Sequence, residues 1–204
     1  KSDNSYKWYP YNKGGSFRRW DGNQEFVINY EHDGKEVKEY AAKLYGSYTR
    51  TVKNIPYFFK AGLTWSLITS GIFSVRVLPE GFVIGDAGPT CYPTDIWYKT
   101  VFAALNSRVA GEILSLLNPT VNFTPGVLRL FPMLSPTNAP NCVDRLVELA
   151  RIDWNSFETS WNFFHSPLVV MPPTETVSQD KNGAHVFLPL NASVAHRFQK
   201  LRSC

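Results

Sequence analysis

Residues 57–93 read YFFKAGLTWSLITSGIFSVRVLPEGFVIGDAGPTCYP. Four short apolar runs, Tyr57-Phe58-Phe59, Leu63 to Ile68, Phe73 to Leu78 and Gly81 to Ile84, are punctuated by Gly62, Gly71, Pro79, Gly81, Gly85 and Gly88. Aromatic and branched runs of this length, closed by breakers, suit strands better than helices, so a block of three or four strands is expected. The period changes directly afterwards. Asp95 takes an N-cap position, and Val101, Leu105, Val109 and Ile113 recur every four residues, flanked by Phe102, Leu116 and Leu117. That spacing predicts one long helix from Asp95 to Leu117, stopped by Asn118-Pro119. Strands followed by helix give an α+β fold: a twisted β-rich platform with one long packed helix.

Upstream, Pro10 and Gly14-Gly15 supply turn chemistry, Glu25 to Tyr30 (EFVINY) reads as a short strand, and His32-Asp33-Gly34 closes it. A hairpin or strand-loop-strand unit is expected there. Val37, Tyr40, Ala41 and Leu44 follow a helical spacing within Glu36 to Lys53, with Gly46 as a stop. Downstream, a Pro- and Asn-rich loop runs from Ser135 to Asn141. Val143, Leu146, Val147 and Ala150 then mark a second helix toward Trp154, with Phe157 and Trp161 continuing its spacing. It leads into a helical or irregular C-terminal tail, with a last short helix expected over Ala192 to Leu201. The expected division is 1–135, the α+β domain; 136–168, a helical connector; and 169–204, a Pro-rich tail and short helix.

The chain has 204 residues, 44% apolar and 19% charged, which is enough to bury a core and unlike a disordered chain. No apolar run reaches the roughly 18 residues of a membrane span, and the N-terminus lacks a signal layout, so no membrane partner and a cytoplasmic location are expected. Cys91, Cys142 and Cys204 are far apart and odd in number, which suits a reducing compartment. The net charge of +4 is localised: residues 1–60 carry 11 Lys+Arg against 7 Asp+Glu, and the remainder balances. Within Ser5 to Trp20, Lys7, Lys13, Arg18 and Arg19 alternate with Tyr6, Trp8, Tyr9, Tyr11, Phe17 and Trp20, and no acid intervenes. Cations interleaved with flat rings suit a polyanion that also offers bases to stack on.

Other chemistries lack their signatures. There is no G-x-G-x-x-G or P-loop, and Gly81, Gly85 and Gly88 are wrongly spaced for a phosphate loop. His32, His165, His185 and His196 show no paired-ligand spacing, so no metal is expected. No nucleophile elbow is present, and Cys91 reads as a small buried residue. A stand-alone hydrolase or nuclease would need a clustered Asp/Glu/His set.

Polar side chains beside turns remain. Lys60, Thr64 and Ser66 surround Gly62 and Trp65 in KAGLTWS, Arg76 lies further along the β block, and Asn118 and Asn122 occupy NPTVNF where the long helix stops. Asn, Ser, Thr and Arg contact phosphates and base edges. Taken singly, each is more often a turn cap, with Trp65 and Phe123 as core.

In combination these segments resemble the target-recognition region of the PglX-like adenine-specific DNA methyltransferases of BREX type 1 phage-defence systems. The resemblance rests on Lys7 to Trp20 (KWYPYNKGGSFRRW), Asn23 to Tyr30 and His32-Asp33-Gly34. It continues through GLTWS (62–66), FSVR (73–76), Pro79 to Phe82, Gly85 to Gly88, LNSRV (105–109), NPTVNF (118–123) and DWNSFETSW (153–161). It spans about residues 6–168. Members of that family are S-adenosylmethionine-dependent enzymes with an F-x-G-x-G-like cofactor loop and an Asn-Pro-Pro-Tyr motif. Neither occurs here, the nearest strings being Asn118-Pro-Thr and Met171-Pro-Pro-Thr. After Pro167 the family's long helical region is replaced by a Pro-rich run.

The resemblance therefore implies a recognition portion without its own cofactor or catalysis, with S-adenosylmethionine bound by a separate catalytic domain. The expected partners are double-stranded DNA and that catalytic domain. Lys7, Lys13, Arg18, Arg19 and Lys60 are the expected backbone contacts; Thr64, Ser66, Arg76, Asn118 and Asn122 are the candidates for base edges or sugars. The alternative is an interaction module whose aromatic N-terminus docks on the catalytic domain, with little DNA affinity of its own.

Overall fold

The strands divide between two sheets. In the computed structural model, which describes residues 6–133, 135 and 142–167, the strands are β1 (Trp8–Asn12), β2 (Phe26–Asn29), β3 (Gly62–Trp65), β4 (Val75–Leu78), β5 (Val83–Ile84) and β6 (Thr90–Cys91). One sheet has the order β2-β1-β5, with β1 antiparallel to β2 and parallel to β5; the other is antiparallel, β4-β3-β6. The expected strand block is thus confirmed in place but not as one platform, because it lends β5 to the N-terminal hairpin. Tyr57-Phe58-Phe59 is not a strand. Pro56 opens a 3-10 turn over Ile55–Tyr57, and Phe59 has φ +66°, outside the extended region. Phe59 instead brackets a loop: its N–H donates to Phe82 O at 2.8 Å, and its carbonyl accepts from Gly81 N–H at 3.1 Å.

The helices are α1 (Glu31–Tyr45), α2 (Asp95–Leu105), α3 (Arg108–Leu117), α4 (Pro125–Leu128) and α5 (Cys142–Trp154). In α1, His32, Asp33 and Gly34 all carry positive φ, so right-handed helix begins at Lys35; left-handed Gly46 ends it as expected. The single long helix from Asp95 is corrected to two, α2 and α3, bent by 79°. Asn106 and Ser107 cause the break. Asn106 Nδ2 donates to Phe102 O at 3.2 Å and Val75 O at 3.1 Å, while its Oδ1 accepts from Val75 N–H at 3.0 Å. Ser107 is extended and caps α3 by accepting from Ala110 N–H at 3.1 Å. Thr94, not Asp95, is the N-cap residue of α2, and Asp95 stands in its first turn.

The bend turns Phe102 and Leu105 of α2, and Leu114 of α3, into one core with Leu63, Trp65, Phe73, Val75, Phe123 and Val143. A smaller core of Tyr30, Phe58 and Val83 lies under Tyr9, Tyr11 and Ile28 of the β1–β2 hairpin. Among the described residues no single helix is long and apolar enough to cross a membrane; α2 and α3 reach that composition only together. Chain contacts group Lys1–Arg151 and Ile152–Cys204 as two units. In the second, the expected continuation of the α5 face through Phe157 and Trp161 is not helical: the chain turns, with Ser156 N–H donating to Asp153 O and Phe157 N–H to Trp154 O, both at 3.1 Å. The expected tail, 169–204, and its short helix lie outside the described residues, as does most of the 135–141 loop.

Candidate nucleic-acid interface

Strand alternation sets the outer surface. Tyr9 and Tyr11 point into the smaller core, so Trp8 on the opposite face of β1 is 60% exposed. Basic side chains lie against exposed rings here: Lys7 Nζ is 5.6 Å from the centre of Trp8, Lys13 Nζ 4.7 Å from Phe26, and the Arg19 guanidinium 5.6 Å from Phe17. Lys60 does the same over Tyr57 at 5.4 Å. None of these four cations is in an ion pair among the described residues.

The loop that carries Arg18 and Arg19 is fastened to the second sheet. Trp20 N–H donates to Val75 O at 2.9 Å and Val77 N–H donates to Trp20 O at 2.9 Å, so Trp20 extends the β4 edge opposite Arg76. Its ring packs on Phe102 at 5.0 Å. At the other end of the loop, Gly14 has φ +82° and passes so close to Ala87 that a Cβ would stand 2.5 Å from the Ala87 carbonyl oxygen.

Beneath this surface the polar side chains are committed to one another. Asn12 Nδ2 donates to Thr64 Oγ1 and to Gly88 O, each at 2.8 Å, and Thr64 Oγ1 donates to Pro89 O at 2.9 Å. Thr64 is buried, so its hydroxyl joins the two sheets. Half-buried Ser66 donates from Oγ to Gly15 O at 2.7 Å and accepts from Arg76 Nη2 at 3.3 Å. Arg76 is only 1% exposed, and its Nη1 has no hydrogen-bond partner among the described residues. Burial, with the nearby Arg18 charge, pushes its pKa down to about 10, against the pull of Asp21. Asp21 is itself buried; it accepts from Arg151 Nε at 3.0 Å and Gln24 Nε2 at 3.2 Å. Its burial outweighs these bonds and holds the carboxyl above its ordinary pKa.

The two asparagines of NPTVNF part company. Asn118 is buried: its Nδ2 donates to Thr120 O and Asn122 O, each at 3.1 Å, and its Oδ1 accepts from Thr120 Oγ1 at 2.7 Å. Asn122 is exposed. It lies on a ribbon in which Thr69 N–H donates to Val121 O at 2.9 Å and Phe123 N–H donates to Leu67 O at 2.7 Å, with Ile68 opposite Asn122. Trp65 Nε1 donates to Phe123 O at 2.7 Å and pins the ribbon to the core. Its tip presents Ile68, 67% exposed, and Val121 beside Asn122.

With this geometry in place, two relatives are informative. Over 166 residues the chain is 34% identical to the adenine-specific methyltransferase BrxX of Escherichia coli O9:H4 (strain HS). Over 162 residues it is 38% identical to the adenine-specific methyltransferase PglX of Lacticaseibacillus casei (strain Zhang). The chain is homologous to a segment of BREX-type methyltransferases. The matches take in 80% and 76% of this chain, which spans about 13% of the length of either relative. No family model matches the chain.

Within this BREX-methyltransferase segment, then, the expected contact residues fall into two sets. Lys7, Lys13 and Lys60 are exposed and Arg18 and Arg19 half-buried around the hairpin and loop; Thr64, Arg76 and Asn118 are interior, and Ser66 lies between. Sequence reasoning passed over Asn12, whose amide ties the sheets together, and Ile68 and Val121, whose shared ribbon depends on pairing 52 to 56 residues apart. It also passed over Arg108, which the single-helix reading placed mid-helix. Cys91 is largely buried and its thiol is pushed up to about 11, which keeps it protonated and a poor nucleophile at neutral pH. It lines a cleft of about 700 Å³ with Tyr57, Tyr92, Leu128 and Phe131, on the β6 side. Among the described residues no three His, Cys, Asp or Glu side chains are grouped to hold a metal.

Proposed function

We propose that this chain is the DNA target-recognition segment of a BREX-type adenine-specific DNA methyltransferase. The observation that carries the proposal is the set of cations lying over exposed rings without carboxylate partners among the described residues, around a hairpin and loop anchored to a second sheet. Such groups neutralise backbone phosphates, and the rings offer stacking area. S-adenosylmethionine and the methyl transfer belong, in this proposal, to another part of a cytoplasmic methyltransferase, and the segment supplies orientation on the duplex. Base reading falls to the ribbon tip: Asn122 offers a donor and an acceptor, and Ile68 and Val121 are suited to thymine methyl groups. Thr64, Arg76 and Asn118 support that surface from within.

Fluorescence anisotropy of the 204-residue chain on a labelled duplex, over a range of salt concentrations, is the test. The expected result is a linear fall of log affinity with log salt. Replacing Arg18 and Arg19 by alanine should flatten the slope and weaken all sequences alike. Absence of binding at low salt would favour a docking module instead. That second function draws on α1, where Tyr40 and Leu44, one turn apart, are 65% and 52% exposed. Co-purification with the remainder of the methyltransferase would reveal it.

A further inference from the structure

Three parts of the chain meet at one backbone carbonyl. Val75 O accepts from Trp20 N–H at 2.9 Å and from Asn106 Nδ2 at 3.1 Å. Arg19 immediately precedes Trp20, and Arg108 follows Asn106 by two residues, so an arginine from the loop and one from the helix flank this junction within electrostatic reach of each other. Arg108 is exposed and opens α3; Arg19 is half-buried beside Phe17. Neither is in an ion pair among the described residues, and Arg19 Nε is buried without a hydrogen-bond partner. Burial and the Arg108 charge both draw the Arg19 guanidinium below its ordinary pKa. Like charges so placed repel unless an anion lies between them.

We propose that Arg19 and Arg108 together form a seat for a single backbone phosphodiester of duplex DNA, with Arg108 a positioning residue for the bound duplex. The inference rests on the DNA-recognition function and deepens it by adding a contact from the α2–α3 corner. Two planar guanidiniums can present parallel N–H donors to the non-bridging oxygens of one phosphate, which two lysines cannot do as directionally. The corner geometry makes the seat: Asn106 fixes the bend and Trp20 fixes the loop, both on Val75.

The test is salt-dependent anisotropy with the 204-residue chain and its Arg19→Ala, Arg108→Ala, Arg108→Lys and double-alanine variants, on two duplexes of unrelated sequence. Melting curves verify that each variant is folded. Arg108→Ala should cost roughly fivefold to tenfold in affinity at low salt, equally on both duplexes, and the double variant, which leaves the phosphate without either arginine, should lower the log-log salt slope by about 0.9. Arg108→Lys should restore part of the affinity. The double variant should lose less than the product of the single losses, since one phosphate is shared. Wild-type affinity in folded Arg108→Ala, or a wild-type slope in the folded double variant, would overturn the seat and leave the DNA function standing, as would fully multiplicative losses in the double variant. Failure of the wild-type chain to bind at about 50 mM salt would overturn both.

Discussion

Asn118 and Asn122 are four residues apart on one loop, and Arg19 and Arg76 both flank the Trp20–β4 junction, yet each pair divides between interior and surface. Asn118 spends both ends of its amide on the loop itself, whereas Asn122 presents its amide to solvent. Arg76 is enclosed beside Ser66; Arg19 is half-buried, its guanidinium 5.6 Å from the exposed Phe17 ring. The difference shows that residue type marks a polar position, while the sheet and ribbon pairings decide whether that position builds the surface or is the surface.

The contrast can be tested in order of effect. Asn118→Ala removes three partly buried hydrogen bonds and should lower stability by about 2–3 kcal/mol in urea unfolding. Asn122→Ala should stay within about 0.5 kcal/mol in the same measurement, as exposed substitutions do. Equal losses at the two positions would end the distinction. On duplex libraries Asn122→Ala should relax the preference at one base pair by about 1–2 kcal/mol with melting unchanged, the scale of one side-chain contact to a base edge.

Arg76→Met keeps the volume and removes a buried charge whose Nη1 has no partner among the described residues. Stability should remain within about 1 kcal/mol of wild type or rise, because apolar replacements of buried ions are often neutral or better. Duplex affinity should hold within about twofold, on the salt-slope reasoning that an enclosed charge neutralises no phosphate. A large selective loss of affinity would move Arg76 to the surface set.

The smallest effect concerns Asp21. Its carboxyl is held above the ordinary range by burial, so the folded state binds the proton more tightly than the unfolded state. Its contribution to stability is therefore fullest below the ordinary carboxylate pKa and is lost as pH rises through the raised folded value. Asp21→Asn should remove that decline from the pH profile of unfolding. A wild-type profile that rises over the same window relative to the variant would reverse the assignment.

Much of the architecture was legible because it is local. The apolar run Leu63 to Ile68, the EFVINY strand, the Gly46 stop and the apolar stripe of α5 each carry their own signal. The bend after Leu105 was also written in the sequence, as Asn106-Ser107 ahead of Ala110, but the four-residue apolar repeat runs across it and masks the cap. The rest was not legible from spacing. The two-sheet division depends on β5 pairing parallel with β1, some 70 residues away, and the ribbon depends on Leu67 meeting Phe123. Hence the basic hairpin was found, whereas the fates of Thr64 and Arg76 and the position of Arg108 were set by contacts no short motif encodes.

The Leu67–Phe123 ribbon has a practical side. Its two strands come from distant parts of the chain, but they are bonded to each other and fixed below by Trp65 and Asn118. An engineer who transplants the tip from one relative to another must move both segments, roughly 67–72 and 119–122, as one cassette and leave the two anchors untouched. A graft of either segment alone would set a foreign edge against a native one and lose the shape of the tip before its chemistry could be compared.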